Sequence, residues 1–448
     1  MNDNGCIDGK GPAMENRKEE GMTPCVQRYK KPELLMPAGS PDTARTAIRY
    51  GADAVYLGGE AFSLRAKAKN FTPEQMTQCI REAHEAGVKV YVTANIFAHN
   101  ADLEEAAAYF AFLRKAGPDA VLISDPGLFT IFREMCPEIP VHISTQSNNT
   151  NYGTFRFWYG LGVRRVVTAR ELSLAEIRGI RENIPEDMEI ESFVHGAMCI
   201  SYSGRCLLSS FLAGRDANRG ACTHPCRWRY SIVEETRPGE YMPVYENERG
   251  TYIFNSKDLC MIDHIPDLVS AGIDSLKVEG RMKTALYVAT VARAYRLAID
   301  EYAEDPERYE AHREMYKQMV SDGTYRNFTT GFYYEKPDEN SQIYDSNTYI
   351  KNAVFLGTVE KIDEKGRVVI HQKNKFCKGD RITVMKPDGN DPVYEVLRME
   401  NDEDEEVPSA PHPGQEIRLT LKSAGEDSCA GITPEPGDIL KMESLQES

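Results

Sequence analysis

A chain of 448 residues and 50.4 kDa is long enough for two or three domains around a large enclosed core, which excludes a peptide hormone or a lone binding module. Its 41% apolar and 27% charged residues exclude a disordered or fibrous protein, and no apolar run approaches the roughly 20 residues that cross a bilayer. The net charge of −16 excludes nucleic-acid binding by bulk electrostatics, which needs clustered lysine and arginine.

Residues 1–31 are polar, carry both signs of charge and lack the basic start, apolar stretch and small-residue cleavage site of a secretory signal. They are read as a disordered tail on a cytoplasmic protein. From Glu33 onward one unit repeats: a short apolar run, a polar turn, then an amphipathic stretch of helical period. The apolar runs fall at 33–37, 54–57, 89–95, 120–124, 141–146, 165–169, 189–195 and 275–279. Helix-like segments such as 73–86, 103–116 and 174–183 lie between them, and Gly87, Gly117 and Gly162 read as stops. Eight strands alternating with helices predict a (β/α)8 TIM-like barrel over 32–304.

The seventh and eighth runs are separated by about 80 residues, a cysteine-rich insertion at 197–274 within which 229–235 and 251–254 look like extra strands. So long an insertion at the C-terminal end of a barrel strand is more often functional than decorative. A helix at 284–304 closes the barrel, and 305–351 reads as a polar linker. From 352 to 444 short β-like runs, with turns at Lys378-Gly379-Asp380 and Pro387-Asp388-Gly389, predict a small antiparallel β-barrel domain. Truncation after about Asn340 is expected to leave a folded barrel. Residues 337–448 hold 13 basic and 23 acidic residues, so the negative charge is mostly C-terminal.

Eleven cysteines are an odd count, and in a reducing compartment clustered thiols point to metal binding or catalysis more than to disulfides. Cys199, Cys206, Cys222 and Cys226 crowd into 28 residues, with Cys260 further on. Thiolates are soft ligands, and four close together suit an iron-sulfur cluster or Zn2+. The tight Cys-x2-Cys knuckles of structural zinc sites are absent, and looser spacing favours a 4Fe-4S cluster, with zinc or uncoordinated thiols as alternatives. The Cys-x3-Cys-x2-Cys triad of radical-SAM enzymes is missing, as are Gly-x-Ser-x-Gly, His-Glu-x-x-His and the Walker loop.

A barrel's active site gathers at the C-terminal ends of its strands. Polar residues placed there by the pattern include Glu60, Asn95, Gln146, Arg170, His195, Lys277, Glu279 and Arg281, with Arg205 in the insertion. Ser40, Asp125 and Ser173 at similar positions are read as helix caps. His195, four residues before the first clustered cysteine, and Glu279 are the candidate catalytic pair. The others are candidate substrate-binding groups, and Lys277, Arg281 and Arg205 would suit a small carboxylate.

The run Glu191-Ser-Phe193-Val-His195-Gly-Ala-Met-Cys199, followed by Gly204-Arg-Cys206-Leu-Leu-Ser209, resembles the signature block of the collagenase-like peptidase family of unassigned mechanism. Support runs from Glu33 to Gly39 through Asn218-Arg-Gly220 and Lys277 to Arg281, and Lys373-Asn-Lys-Phe376 resembles the family's C-terminal β domain. The resemblance is greatest to the RNA-hydroxylating branch, whose members make 5-hydroxyuridine at the tRNA wobble position or 5-hydroxycytidine in 23S ribosomal RNA. It implies that Cys199, Cys206, Cys222 and Cys226 ligate an iron-sulfur cluster, that prephenate is a co-substrate, and that the tRNA anticodon region is the partner, approaching between the barrel and the β domain. Cys260 departs from that ligand set. A collagenase-like peptidase is the alternative, disfavoured by the absence of any zinc- or serine-protease constellation.

Overall fold

The computed structural model describes residues 31–444 except 65–69, 200, 229–231, 234–240, 243–245, 248–249, 252–255, 322, 337–349 and 425–432. The expected tail 1–31 therefore lies, but for Lys31, outside the described residues. Most of the expected strands 229–235 and 251–254 lies outside them too; within the insertion Ile232–Val233 pairs with Tyr241–Met242, and Glu246–Asn247 with Gly250–Thr251.

Eight parallel strands close into a barrel: β1 Glu33–Pro37, β2 Ala54–Gly58, β3 Lys89–Ala94, β4 Ala120–Ile123, β5 Val141–Ile143, β6 Arg165–Val167, β7 Glu189–Ala197 and β8 Ser275–Val278. β8 pairs with both β1 and β7, which completes the ring. The strands are nearly continuous apolar runs because both faces are buried, one against the barrel interior and one against helices. The helices start where the sequence places caps. Ser40 accepts from the Thr43 N–H at the head of α1 Pro41–Arg49, Asp125 from Leu128 in α4 Pro126–Met135, and Ser173 from Glu176 in α6 Leu174–Arg181. The other outer helices are α2 Pro73–Glu85, α3 Asn100–Ala116, α5 Tyr152–Gly160, α8 Ile265–Ser270 and α9 Ala285–Glu304.

Above the barrel β7 runs on and pairs antiparallel with Asp258–Cys260, setting Cys260 opposite His195. Cys260 is buried there, and burial pushes its thiol up to about 12. Charges inside the barrel are matched. Lys277 Nζ lies 2.6 Å from Glu191 Oε1, and Arg165 reaches Glu33, Glu189 and Glu191 at 2.5, 2.8 and 3.5 Å. Burial would raise the Glu33 carboxyl, but Arg165 and the Tyr91 hydroxyl hold it below the usual range.

Part of the expected linker is helical: α10 Pro306–Val320 is capped by Asp305 and packs along α9. The C-terminal domain is a closed antiparallel barrel in the order Ala353–Ile362, Val368–His371, Glu416–Ser423, Val393–Glu400, Arg381–Met385, Ile439–Glu443. Leu356, Ile382, Val396, Ile417 and Leu440 fill it. It is not a detached module. Met385 and Ile439 belong to the hydrophobic core of the large barrel, and Arg293 on α9 donates to the Lys386 carbonyl at 2.9 Å and meets Asp391 at 2.6 Å. Arg49 at the end of α1 pairs with the fully buried Asp438 at 2.6 Å, and Lys386 with the same carboxylate at 2.7 Å. Against the expectation of a barrel that stays folded after truncation near 340, removal of this domain would leave those buried groups uncompensated.

Candidate active site at the barrel mouth

Arg281, three residues past β8, is buried at the C-terminal end of the barrel. Its Nη1 donates to Ser63 Oγ at 2.8 Å and the Leu64 carbonyl at 2.9 Å, and its Nη2 donates to Asn70 Oδ1 at 2.9 Å. The guanidinium thus knots the loop after β2 to the end of β8. Gly58 makes room for it: a Cβ there would overlap both Ser63 and the Arg281 Nη2.

Asn95 and Gln146, past the ends of β3 and β5, form a second polar group. Asn95 Nδ2 donates to Gln146 Oε1 at 3.2 Å and to Ser144 Oγ at 3.3 Å, and Ser144 Oγ donates to Gln146 Oε1 at 2.8 Å. Arg170, past β6, makes the third. Its guanidinium lies 4.0 Å over the Phe193 ring, donates to the Ala197 carbonyl at 3.2 Å and reaches Glu279 Oε2 at 3.4 Å. Gly196, at φ +107°, permits this corner, because a Cβ would run into the Glu279 backbone. Glu60 is exposed on the turn after β2.

Two expected site residues do not open onto the mouth. His195 faces the helix layer, with its ring 5.6 Å from Tyr295, 6.0 Å from Tyr287 and 5.7 Å from Phe328. Burial, with Lys283 nearby, lowers it to about 3, so it is a neutral core imidazole rather than an open catalytic base. Lys277 is held inside the barrel by Glu191, with its ammonium 4.6 Å from the Tyr56 ring centroid and 5.4 Å from that of Phe193. Neither is free to meet a carboxylate. Glu279 remains at the mouth, half enclosed against Arg170. Sequence reasoning passed over Phe193, Ser63 and Asn70; Phe193 was within reach, since it sits two residues from Glu191 and so shares its face of β7.

The cysteine segment folds down onto the rim. Asn148 Nδ2 donates to the Ser203 carbonyl at 3.1 Å, Gly204 packs against Phe97 and Gln146, Arg205 lies 5.3 Å from the Phe97 ring centroid, and Arg219 pairs with Asp102 at 2.6 Å. The short helix α7 Leu208–Ala213 packs on the turn Pro225–Arg227, and Ser209 Oγ accepts from the Thr223 N–H at 3.2 Å. Cys206, Cys222 and Cys226 are half-buried and Cys199 is exposed; all four are reduced thiols. In donor chemistry they fit an iron-sulfur cluster or zinc. Among the described residues, no three His, Cys, Asp or Glu side chains converge on one point.

A parallel eight-stranded barrel with arginine and amide side chains around its mouth, a thiol-bearing segment laid on the rim and a β-barrel packed on its flank has the make-up of a TIM-like enzyme, a class whose reaction centres gather at the C-terminal ends of the strands. The chain belongs to peptidase family U32, whose model matches residues 39–343, with the family's C-terminal domain matching 351–440. Among curated proteins it is 40% identical to "tRNA hydroxylation protein P" of Escherichia coli, over 87% of this chain and 94% of that protein. It is 38% identical to "tRNA hydroxylation protein P1" of Bacillus subtilis, over 88% and 92%. A 23S rRNA 5-hydroxycytidine synthase of Escherichia coli is 32% identical over 79% of this chain and 52% of that protein.

Proposed function

We propose that this chain is a cytoplasmic tRNA hydroxylase that forms 5-hydroxyuridine at the wobble position, with an iron-sulfur cluster on Cys199, Cys206, Cys222 and Cys226 and prephenate as the small carboxylate co-substrate. The observation that carries the reading is the extent of the similarity to tRNA hydroxylation proteins, which takes in the barrel, the cysteine segment and the C-terminal domain together.

The geometry suits the reaction. A pyrimidine must leave its stack to reach an enclosed site, and the mouth of a barrel accepts one flipped base. Asn95 and Ser144 both donate to the Gln146 amide oxygen, which fixes that amide and turns its Nε2 donors toward other partners, the carbonyl edge of uracil among them. Arg281 and Arg170 fix the loops that frame this position, and Arg205 stands on the rim with its charge exposed. An iron-sulfur cluster, when bound, supplies one-electron chemistry; the residues around the mouth bind and orient the base and exclude water.

The test is nucleoside mass spectrometry of RNA from a deletion strain. Loss of 5-hydroxyuridine from tRNA, restored by the wild-type chain and not by Arg281→Ala, is the expected result. Unchanged tRNA with loss of 5-hydroxycytidine from 23S rRNA would move the substrate to the ribosome. Unchanged RNA together with gelatin cleavage by the pure protein would establish the peptidase instead.

A further inference from the structure

Residues 197–229 contain five arginines and one aspartate, in a chain whose net charge is −16. The same segment carries an unusual density of exposed rings and large apolar side chains. Phe211 is 86% exposed, Leu207 68%, Tyr202 47% and Trp228 41%. Leu207 and Phe211 are one helical turn apart, with the Phe211 N–H donating to the Leu207 carbonyl at 2.9 Å, so they share a face. Trp228 follows directly on the turn that packs against the Phe211 helix. A folded protein leaves single apolar residues in water without consequence, but several on one short segment mark a contact surface.

The arginines decide which contact. Arg205 and Arg215 are exposed on the same segment, and a surface that combines positive charge with aromatic faces is the combination that holds unpaired nucleotides, phosphates on the arginines and bases on the rings. The segment is also in the right place, seated on the rim through Ser203, Gly204 and Arg219. When one base enters the mouth, its neighbours in the loop lose their stacking partners next to the rim that carries this segment. We propose that Phe211, Trp228 and Tyr202 form a stacking platform for the unpaired nucleotides flanking the modified base. This rests on the tRNA reading above and deepens it by naming residues that hold the loop.

Trp228 gives the platform its own signal, since the chain has two tryptophans and the other, Trp158, is buried. A synthetic anticodon stem-loop RNA titrated into the full-length protein should quench tryptophan fluorescence, and Trp228→Phe should abolish the quench while the RNA still binds. Phe211→Ala should raise the KM for tRNA on the order of tenfold with kcat unchanged, and Phe211→Tyr should restore it. A side chain so exposed contributes little to the core, so circular dichroism and Tm should not move. If the wild type binds the stem-loop and neither variant changes binding or fluorescence, the platform is wrong and the tRNA reading stands. If the wild type binds no tRNA, both fall. If Phe211→Ala instead breaks a dimer in sedimentation while leaving RNA binding intact, the rings are an interface between two copies and the platform is overturned.

Discussion

The hydroxyl of Tyr50, at the end of α1 in the large barrel, accepts the backbone N–H of Ile439, in the last strand of the C-terminal barrel, at 3.1 Å. The same hydroxyl donates to the Met385 carbonyl at 2.6 Å. One side chain therefore satisfies two buried backbone groups of the other domain.

Tyr50→Phe keeps the ring and removes both bonds. It should cost about 1–3 kcal/mol, because Ile439 N–H and Met385 C=O stay buried without partners. Urea denaturation should show the loss in one shared transition for both domains. Two separated transitions in the wild type would contradict a fused core.

Lys277→Met leaves the fully buried Glu191 facing only Arg165 at 3.5 Å. Breaking a buried pair from one side typically costs about 3–5 kcal/mol. Lys277→Met with Glu191→Gln should recover part of that loss, since the uncompensated charge is gone. A single variant as stable as wild type would mean that Lys277 does not hold the interior charge.

His195 stays neutral down to about pH 3, against an ordinary value near 6.5. Between those values the unfolded chain binds a proton that the folded chain does not. The stabilising contribution is therefore complete above about 6.5 and is lost as the pH falls toward 3. The His195 ring proton resonance should not shift between pH 8 and 5, and the fall in denaturation midpoint with acid should be shallower in His195→Gln. A His195 resonance titrating near neutrality would show an imidazole open to water.

Cys199→Ala or Cys222→Ala should strip iron and acid-labile sulfide from anaerobically purified protein. Cys136→Ala and Cys260→Ala should keep both, since these thiols are buried in the core. Stoichiometric zinc without sulfide in the wild type would replace the cluster by a zinc site.

The barrel was legible because each strand is a short apolar run closed by a capping residue: Ser40, Asp125 and Ser173 sit where the pattern puts them. The mouth was legible by position alone, which gave Asn95, Gln146, Arg170, Glu279 and Arg281. His195 shows where that logic stops. Side chains alternate along β7, so Glu191 and Phe193 share the barrel face, but the register shifts where β8 meets this strand, between Lys277 and Val278. Beyond the shift, alternation counted from the strand start no longer tells which way His195 points. Helix α10 was missed because so many of its residues are charged, with only Tyr309, Tyr316 and Val320 buried. A narrow apolar stripe on a polar helix reads as a linker until the neighbouring helix supplies the other half.

The ring of strands fixes how far apart the two appendages stand. The cysteine segment rests on the loops after β3 and β5, through Phe97, Asp102, Gln146 and Asn148. The C-terminal domain clings to α1 and α9, the helices beside β1 and β8. In an eight-membered ring β5 stands diametrically across from β1, and Tyr50 closes α1 at the end of the barrel remote from the strand C-termini. The two appendages therefore sit on opposite sides and toward opposite ends of the ring, one on its rim and one by its floor, and a change in either reaches the other only through the barrel between them.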